Sequence, residues 1–317
     1  MELRYDNLKD KPETFLAFTG LNTKEFHILL QAFTLAWELY AQKNSIPPEL
    51  RQRDYGGGRK ARLATCEDKL LFILVYFKTY PLQEVLAFHF DMSQSQACEW
   101  IHILSEVLRM SLKELGHIPE RDAQKVKELL ESYMDESVEC SDRKSEKENF
   151  AIDGTERRRQ RPKDQEEQKR FYSVKKKVHT VKNNVIVTLG HKRIEYLGAT
   201  WEGKKHDKSI CDDEGHEFPE GSTLYKDTGF QGYEPAGVDT RQPKKKPRSG
   251  DLTDEEKEQN SLISRIRIIV EHVICGIKRC LIVNDVFRNT KDMFDDLVME
   301  IACGLHNFRT AQRTSDT

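Results

Sequence analysis

Three acidic residues occupy settings in which a carboxylate can do more than solvate a surface. Asp153 follows the apolar run Phe150, Ala151 and Ile152 in FAIDGTE, and Asp227 follows Leu224, Tyr225 and Lys226 in LYKDTGFQGY. Each closes a short segment of strand character. Glu271 lies in SRIRIIVEHVICGIK, residues 264–278, where Ile266, Ile269, Val270, Val273, Ile274 and Ile277 recur with the period of a helix packed on a core. On that helix Arg267, Glu271 and Lys278 fall within about 40° of one another, so one polar stripe carries a cation, a carboxylate and a second cation. If the two strands are neighbours and the helix packs over them, the three carboxylates converge. Convergence brings no stability of its own, because like charges repel and raise one another's pKa. Divalent cations relieve that repulsion, and oxygen-only ligands suit Mg²⁺ or Mn²⁺. Two such ions can activate an attacking oxygen and stabilise a leaving one in a displacement at phosphorus. Taken singly, each acid also fits a loop cap or a solvated charge, and Arg267 with Glu271 also fits a surface i,i+4 pair.

The elements that must position these acids read as a mixed α/β arrangement. After the strand at 150–152 come strand patterns at 173–182, 184–190 and 194–200, rich in β-branched residues, with Asn183-Asn184 as the expected hairpin turn. A helix is expected over 205–211 and a further strand over 222–225. The turn 228–233 and a Pro/Lys-rich excursion over 234–260 then lead to the helix carrying Glu271. Strands, helix, strand, insertion and helix in this order predict a layered α/β domain, with Asp153 and Asp227 at C-terminal strand ends, where active-site groups of open sheets collect.

The N-terminal third reads as helical. Asn22 with Glu25 resembles a capping box opening a helix over 25–40, and a polar segment with Gly56-Gly57-Gly58 follows. Thr65 with Asp68 caps a helix over 69–78, Pro81 opens a short one over 81–88, and Ser93 with Gln96 caps a third over 94–112. The last two, joined by a tight turn at 90–92, outline a helix-turn-helix in which Gln94, Ser95, Gln96 and Glu99 begin the recognition helix. The same pattern fits an ordinary three-helix bundle with its polar face in water. The expected division is a helical DNA-binding region over 1–118, an acidic helical linker over 119–149 and a catalytic domain over 150–317 with a basic insertion at 234–260.

Composition narrows the classes. The 317 residues are 37% hydrophobic and 33% charged, as in a highly charged globular protein. The longest apolar run, 70–77, is too short to span a bilayer, and the start MELRYDNLKDK lacks an apolar signal region. The seven cysteines form no C-x-x-C pair, which argues against a disulfide framework or a zinc knuckle and for a reduced, cytosolic setting. A net charge of −2 conceals segregation: cationic runs lie at 157–163, 169–177 and 241–248, and acidic residues gather at 128–148. Phosphate binding depends on such patches rather than on the total.

The motifs FAIDGTE, LYKDTGFQGY and RIRIIVEHVICGIK, with the tract 242–278 and Thr19-Gly20-Leu21 followed by Glu25-Phe26, resemble the DDE insertion-sequence transposases, in the branch shared with Harbinger-type elements. The resemblance implies an RNase H-like core in which Asp153, Asp227 and Glu271 are the catalytic metal ligands for Mg²⁺ or Mn²⁺, two ions being expected. In related transposases the glutamate helix carries a Tyr-Arg-Glu-Lys pattern; Arg267, Glu271 and Lys278 match its last three members, and Ser264 stands in place of the tyrosine. Lys278 and Arg267 would then contact DNA phosphates, with Lys244, Lys245 and Lys246 as a DNA-contacting loop and Gln94, Ser95 and Gln96 reading base edges. His206 and Asp207 resemble a family feature near the site, expected as a structural His–Asp pair. The implied activity is cleavage of double-stranded DNA at element ends and strand transfer into target DNA, by a homo-oligomer at the nucleoid of a bacterial cytoplasm, with no membrane partner and no covalent protein intermediate. Two other classes remain: a domesticated or inactive DNA-binding protein that uses the helix-turn-helix alone, and a metal-dependent phosphatase or nuclease of small substrates, which leaves the N-terminal helices and basic runs unexplained.

Overall fold

The structure, a computed structural model, describes residues 2–44, 61–139, 149–246 and 250–314. Most of the expected polar joint after the first long helix, the end of the acidic linker and Arg248 of the third basic run lie outside the described residues. Two compact units result: one of Met1–Ile118, Lys278–Asp285 and Leu297–Thr317, the other of Pro119–Ile277 and Val286–Asp296. Packing therefore does not follow chain order as the expected division did, because C-terminal segments join the N-terminal helices. No helix among the described residues is long and apolar enough to cross a membrane.

The first unit is helical: α1 (Tyr5–Leu8), α2 (Pro12–Thr19), α3 (Thr23–Asn44), α4 (Cys66–Thr79), α5 (Gln83–His89) and α6 (Gln94–Glu114). Its starts are chemical. At α3 the Glu25 amide donates to Asn22 Oδ1 and the Asn22 amide to Glu25 Oε2, each at 2.8 Å. Thr65 accepts from the Asp68 amide at α4, and Ser93 and Gln96 close a reciprocal box at α6. Each satisfies amides that a helix start leaves unpaired. α4 is buried on every side from Lys69 to Phe77, which makes it the core about which α2, α3 and α6 pack.

The second unit begins with α7 (Val126–Glu139) and continues through β1 (Asn149–Arg158), α8 (Gln165–Phe171), β2 (Tyr172–Ser173), β3 (Val178–Thr188), β4 (Arg193–Leu197), β5 (Trp201–Glu202), α9 (Asp207–Glu214), β6 (Thr223–Lys226), β7 (Asp239–Arg241) and α10 (Asp254–Ile277). The chain ends with α11 (Leu281–Asn284) and α12 (Phe294–Thr314). The sheet is mixed, in the order β2-β3-β1-β6-β7, with β4 and β5 also paired to β3. β1 is central, antiparallel to β3 and parallel to β6. Side chains alternate along it. Phe150 and Ile152 face a cluster with Ile186, Tyr196, Cys211 of α9, Leu224 and Phe230, while the opposite parity, Ala151 and Asp153, faces the side on which α10 packs against β1 and β6. This is the mixed α/β architecture of an RNase H-like domain.

Two sequence expectations change. Asn183-Asn184 is no hairpin turn: β3 runs straight through it, and both residues are fully buried. Their amides are used instead, Asn183 accepting from Arg157 at 2.7 Å and donating to Thr200 at 2.9 Å, and Asn184 donating to Cys211 Sγ at 3.2 Å. These bonds take up part of what a turn would have left to water, while Asn184 Oδ1 stays buried without a partner. The excursion over 234–260 also contains structure, since β7 adds to β6 in parallel and α10 already begins at Asp254.

Candidate active site

Asp153 and Asp227 are brought side by side by one register. The parallel ladder of β1 and β6 ends at the pair Ile152 and Lys226, so the next residue on each strand is an aspartate. Neighbouring strands lie about 4.8 Å apart, which leaves two carboxylates as immediate neighbours. β1 itself continues to Arg158 against β3, so Asp153 stands where the parallel pairing stops rather than at a strand end. Asp227 turns the chain: its carboxylate accepts from the Thr228 amide at 2.6 Å and caps the short 3₁₀ turn Thr228–Phe230.

Electrostatics separate the two. Burial raises the Asp153 carboxyl from its ordinary 3.8 to about 6, the Gly154 amide opposes that shift, and the neighbouring Asp227 and Asp207 charges add to it. Arg267 of α10 lowers it again and pairs with Asp227 Oδ1 at 3.3 Å. The helix that packs over β1 and β6 thus brings the Arg267 guanidinium to Asp227, a partner the sequence reading did not give it.

Glu271 lies one turn beyond Arg267 on that stripe and is exposed. Among the described residues no group of three His, Cys, Asp or Glu side chains is close enough to hold a metal ion. The sheet sets Asp153 and Asp227 side by side, Arg267 of α10 pairs with Asp227, and Glu271 follows one turn further along the same helix. The pair still suits a hard divalent cation: its donors are carboxylate oxygens alone, and a single guanidinium faces two acids.

The remaining predicted residues fall as follows. Lys278 is the first residue beyond α10 and groups with the first unit. Lys244 pairs with Glu256 at 3.1 Å, Lys245 donates to Gln231 at 3.3 Å and Lys246 pairs with Asp251 at 2.5 Å, all near the surface. Gln94, Ser95 and Gln96 are exposed at the start of α6, but Gln94 donates to Gln83 at 2.5 Å and Gln96 is engaged in the capping box. His206 and Asp207 are not paired to each other. His206 Nδ1 accepts from the Lys208 amide at the start of α9, whereas Asp207 bonds Lys182 Nζ at 3.1 Å. Lys182 drew no attention from the sequence, and Gly154 and Gly229 mark only where Asp207 comes close to the backbone.

Residues 152–307 match the DDE superfamily endonuclease family, and residues 61–114 match the helix-turn-helix of DDE superfamily endonuclease. The chain carries a DDE superfamily endonuclease domain together with the helix-turn-helix of that superfamily, a class that cleaves DNA with divalent metal ions. It is similar, at 28% identity over 254 residues covering 80% of this chain and 84% of the relative, to a "Probable transposase for insertion sequence element IS702" of Microchaete diplosiphon. No solved structure matches the chain.

Proposed function

We propose that this protein is an insertion-sequence transposase that cleaves DNA at the ends of its element and joins the freed strand to target DNA. The observation that carries the reading is the placement of Asp153 and Asp227 one residue past the last parallel pair of β1 and β6, with Arg267 against them. Two divalent ions, Mg²⁺ or Mn²⁺, would supply Lewis-acid stabilisation of the attacking and leaving oxygens when bound. Asp153 and Asp227 would hold them, and Glu271, exposed on the same helical stripe, completes the acidic set. Arg267 orients the Asp227 carboxylate. In the first step a water oxygen bonds to phosphorus as the phosphorus–O3′ bond breaks and the 3′ oxygen leaves as a hydroxyl. In the second that hydroxyl attacks a target phosphodiester by the same exchange. Lys278 and Lys244 to Lys246 would bind phosphates, α6 would read the element's end through Gln94, Ser95 and Gln96, and a homo-oligomer would hold two ends together at the nucleoid.

The test is Mg²⁺-dependent nicking of a duplex containing the element's end. Asp153→Asn and Asp227→Asn should lose nicking and keep duplex binding; undiminished cleavage by either variant removes that residue from the site. The helix-turn-helix match over residues 61–114 also fits one other reading, a DNA-binding protein without catalysis. Divalent-ion binding by the wild type, lost in Asp153→Asn, excludes it.

A further inference from the structure

The aspartate pair has a second side. Because side chains alternate along β1, Asp153 faces α10 while the position of Gly154 faces α9 and the apolar cluster beneath it. Asp207, first residue of α9, fills the space that glycine leaves: a Cβ at Gly154 would meet Asp207 Oδ1 at 3.4 Å and Asn184 Oδ1 at 3.5 Å. A Cβ at Gly229, two residues after Asp227, would meet the other oxygen, Oδ2, at 3.1 Å. One carboxylate thus occupies the space over both Gly154 and Gly229, on the α9 side of β1.

Its own position is secured. Lys182 Nζ donates to Asp207 Oδ1 at 3.1 Å and to the Lys205 carbonyl at 3.1 Å, and Lys182 sits on β3 directly across from Glu156 of β1. The start of α9 is therefore tied to the strand that pairs with β1, and α9 also packs against the turn that follows Asp227. We infer that Asp207, clamped by Lys182, is a positioning residue that sets the spacing of Asp153 and Asp227 from behind the sheet.

The inference rests on the reading of Asp153 and Asp227 as cation ligands, and the experiment separates the two. Mn²⁺ binding to the full-length protein without DNA is measured by calorimetry, with nicking of an end-containing duplex alongside. Groups that orient metal ligands typically contribute 10–100-fold in affinity. Asp207→Ala should weaken Mn²⁺ binding roughly tenfold or more, Lys182→Met should do the same, and the double variant should be no worse than Asp207→Ala. Asp207→Asn, which keeps the volume and an acceptor for Lys182, should recover most of the affinity. A Lys182→Met protein with wild-type Mn²⁺ affinity, or an Asp207→Asn protein as impaired as Asp207→Ala, overturns the inference, the second outcome marking Asp207 as a ligand in its own right. If Asp207→Ala does not fold, Gly229→Ala probes the same contact from the other side. It should lower Mn²⁺ affinity several-fold, and unchanged affinity there also overturns the inference. Asp153→Asn is the control: if it binds Mn²⁺ like the wild type, the ligand reading itself fails, whatever Asp207 does.

Discussion

The aspartate pair and the lysine tract at 244–246 are both dense in charge, and they resolve it in opposite ways. Each lysine of the tract has its own nearby partner, Glu256, Gln231 or Asp251, in well-solvated surroundings. Asp153 and Asp227 are side by side with the Arg267 guanidinium paired to Asp227, and burial holds the Asp153 carboxyl at about 6. Charge that is solvated and partnered leaves little free energy for a ligand to recover. Charge held partly desolvated next to a like charge stores an unfavourable term that a divalent cation can discharge. On this contrast the cation site proposed above falls at the aspartates, and the lysines can engage phosphate only by giving up partners.

The largest test of the contrast is catalytic. Replacing Asp153 or Asp227 by Asn, or Glu271 by Gln, should cut Mg²⁺-dependent nicking roughly 10³-fold or more, since a metal site supplies several kcal/mol of transition-state stabilisation at about 1.4 kcal/mol per tenfold. A Glu271→Gln enzyme that still nicks at the wild-type rate would confine the site to the two aspartates that the fold groups.

Next comes stability without metal. The folded carboxyl of Asp153, at about 6, lies above its ordinary 3.8, so ionising it costs the folded state free energy. That cost is absent below 3.8, grows as pH rises and is complete above about 6. Asp153→Asn should therefore stabilise the metal-free protein near pH 8 by up to about 3 kcal/mol, at 1.36 kcal/mol per unit, with the gain vanishing toward pH 4. Urea unfolding at the two pH values measures it, and a destabilised variant at pH 8 would mean that burial does not penalise the ionised Asp153. In the same direction, Mn²⁺ affinity of the wild type should fall as pH drops through about 6, because binding must then displace the Asp153 proton.

A smaller effect is expected at Arg267. Arg267→Met removes the cation facing Asp227 and should move the pH dependence of Mn²⁺ binding upward, since the attraction that favours the ionised acids is lost. A profile that does not move would leave the ion pair without electrostatic consequence for the site.

The smallest effect belongs to the lysines. Replacing Lys244, Lys245 and Lys246 together by Ala should leave the unfolding midpoint unchanged and lower the slope of log K against log salt by about 0.9 for each lysine that trades its partner for a phosphate. An unchanged slope would show that the tract never leaves its own partners and would widen the contrast.

Much of the helical unit was legible because its signals are local. Asn22 with Glu25, Thr65 with Asp68 and Ser93 with Gln96 each close within one helical turn, and the structure forms all three. Strand patterns were less reliable because register is decided by partners far along the chain. The Asn183-Asn184 doublet has turn chemistry, yet both residues are buried inside β3, where their amides bond Arg157 of β1, the Gly198 carbonyl and Cys211 of α9. β7 is three residues of mixed polarity and exists because β6 presents an unpaired edge to it.

The candidate site divides in the same manner. Residue type and order alone determined that Asp153 and Asp227 follow apolar strand segments and that Arg267 and Glu271 share one face of a helix, because alternation and the 3.6-residue period are properties of the local backbone. Only the tertiary structure decided that the parallel ladder stops one residue short of both aspartates, that Arg267 pairs with Asp227, and that the Asp207 carboxylate lies beside Gly154 and Gly229. The reason is physical: which charges neighbour one another depends on strand register and on where a helix crosses a sheet, and both are set by burial of the apolar faces of β1, β6, α9 and α10 against one another.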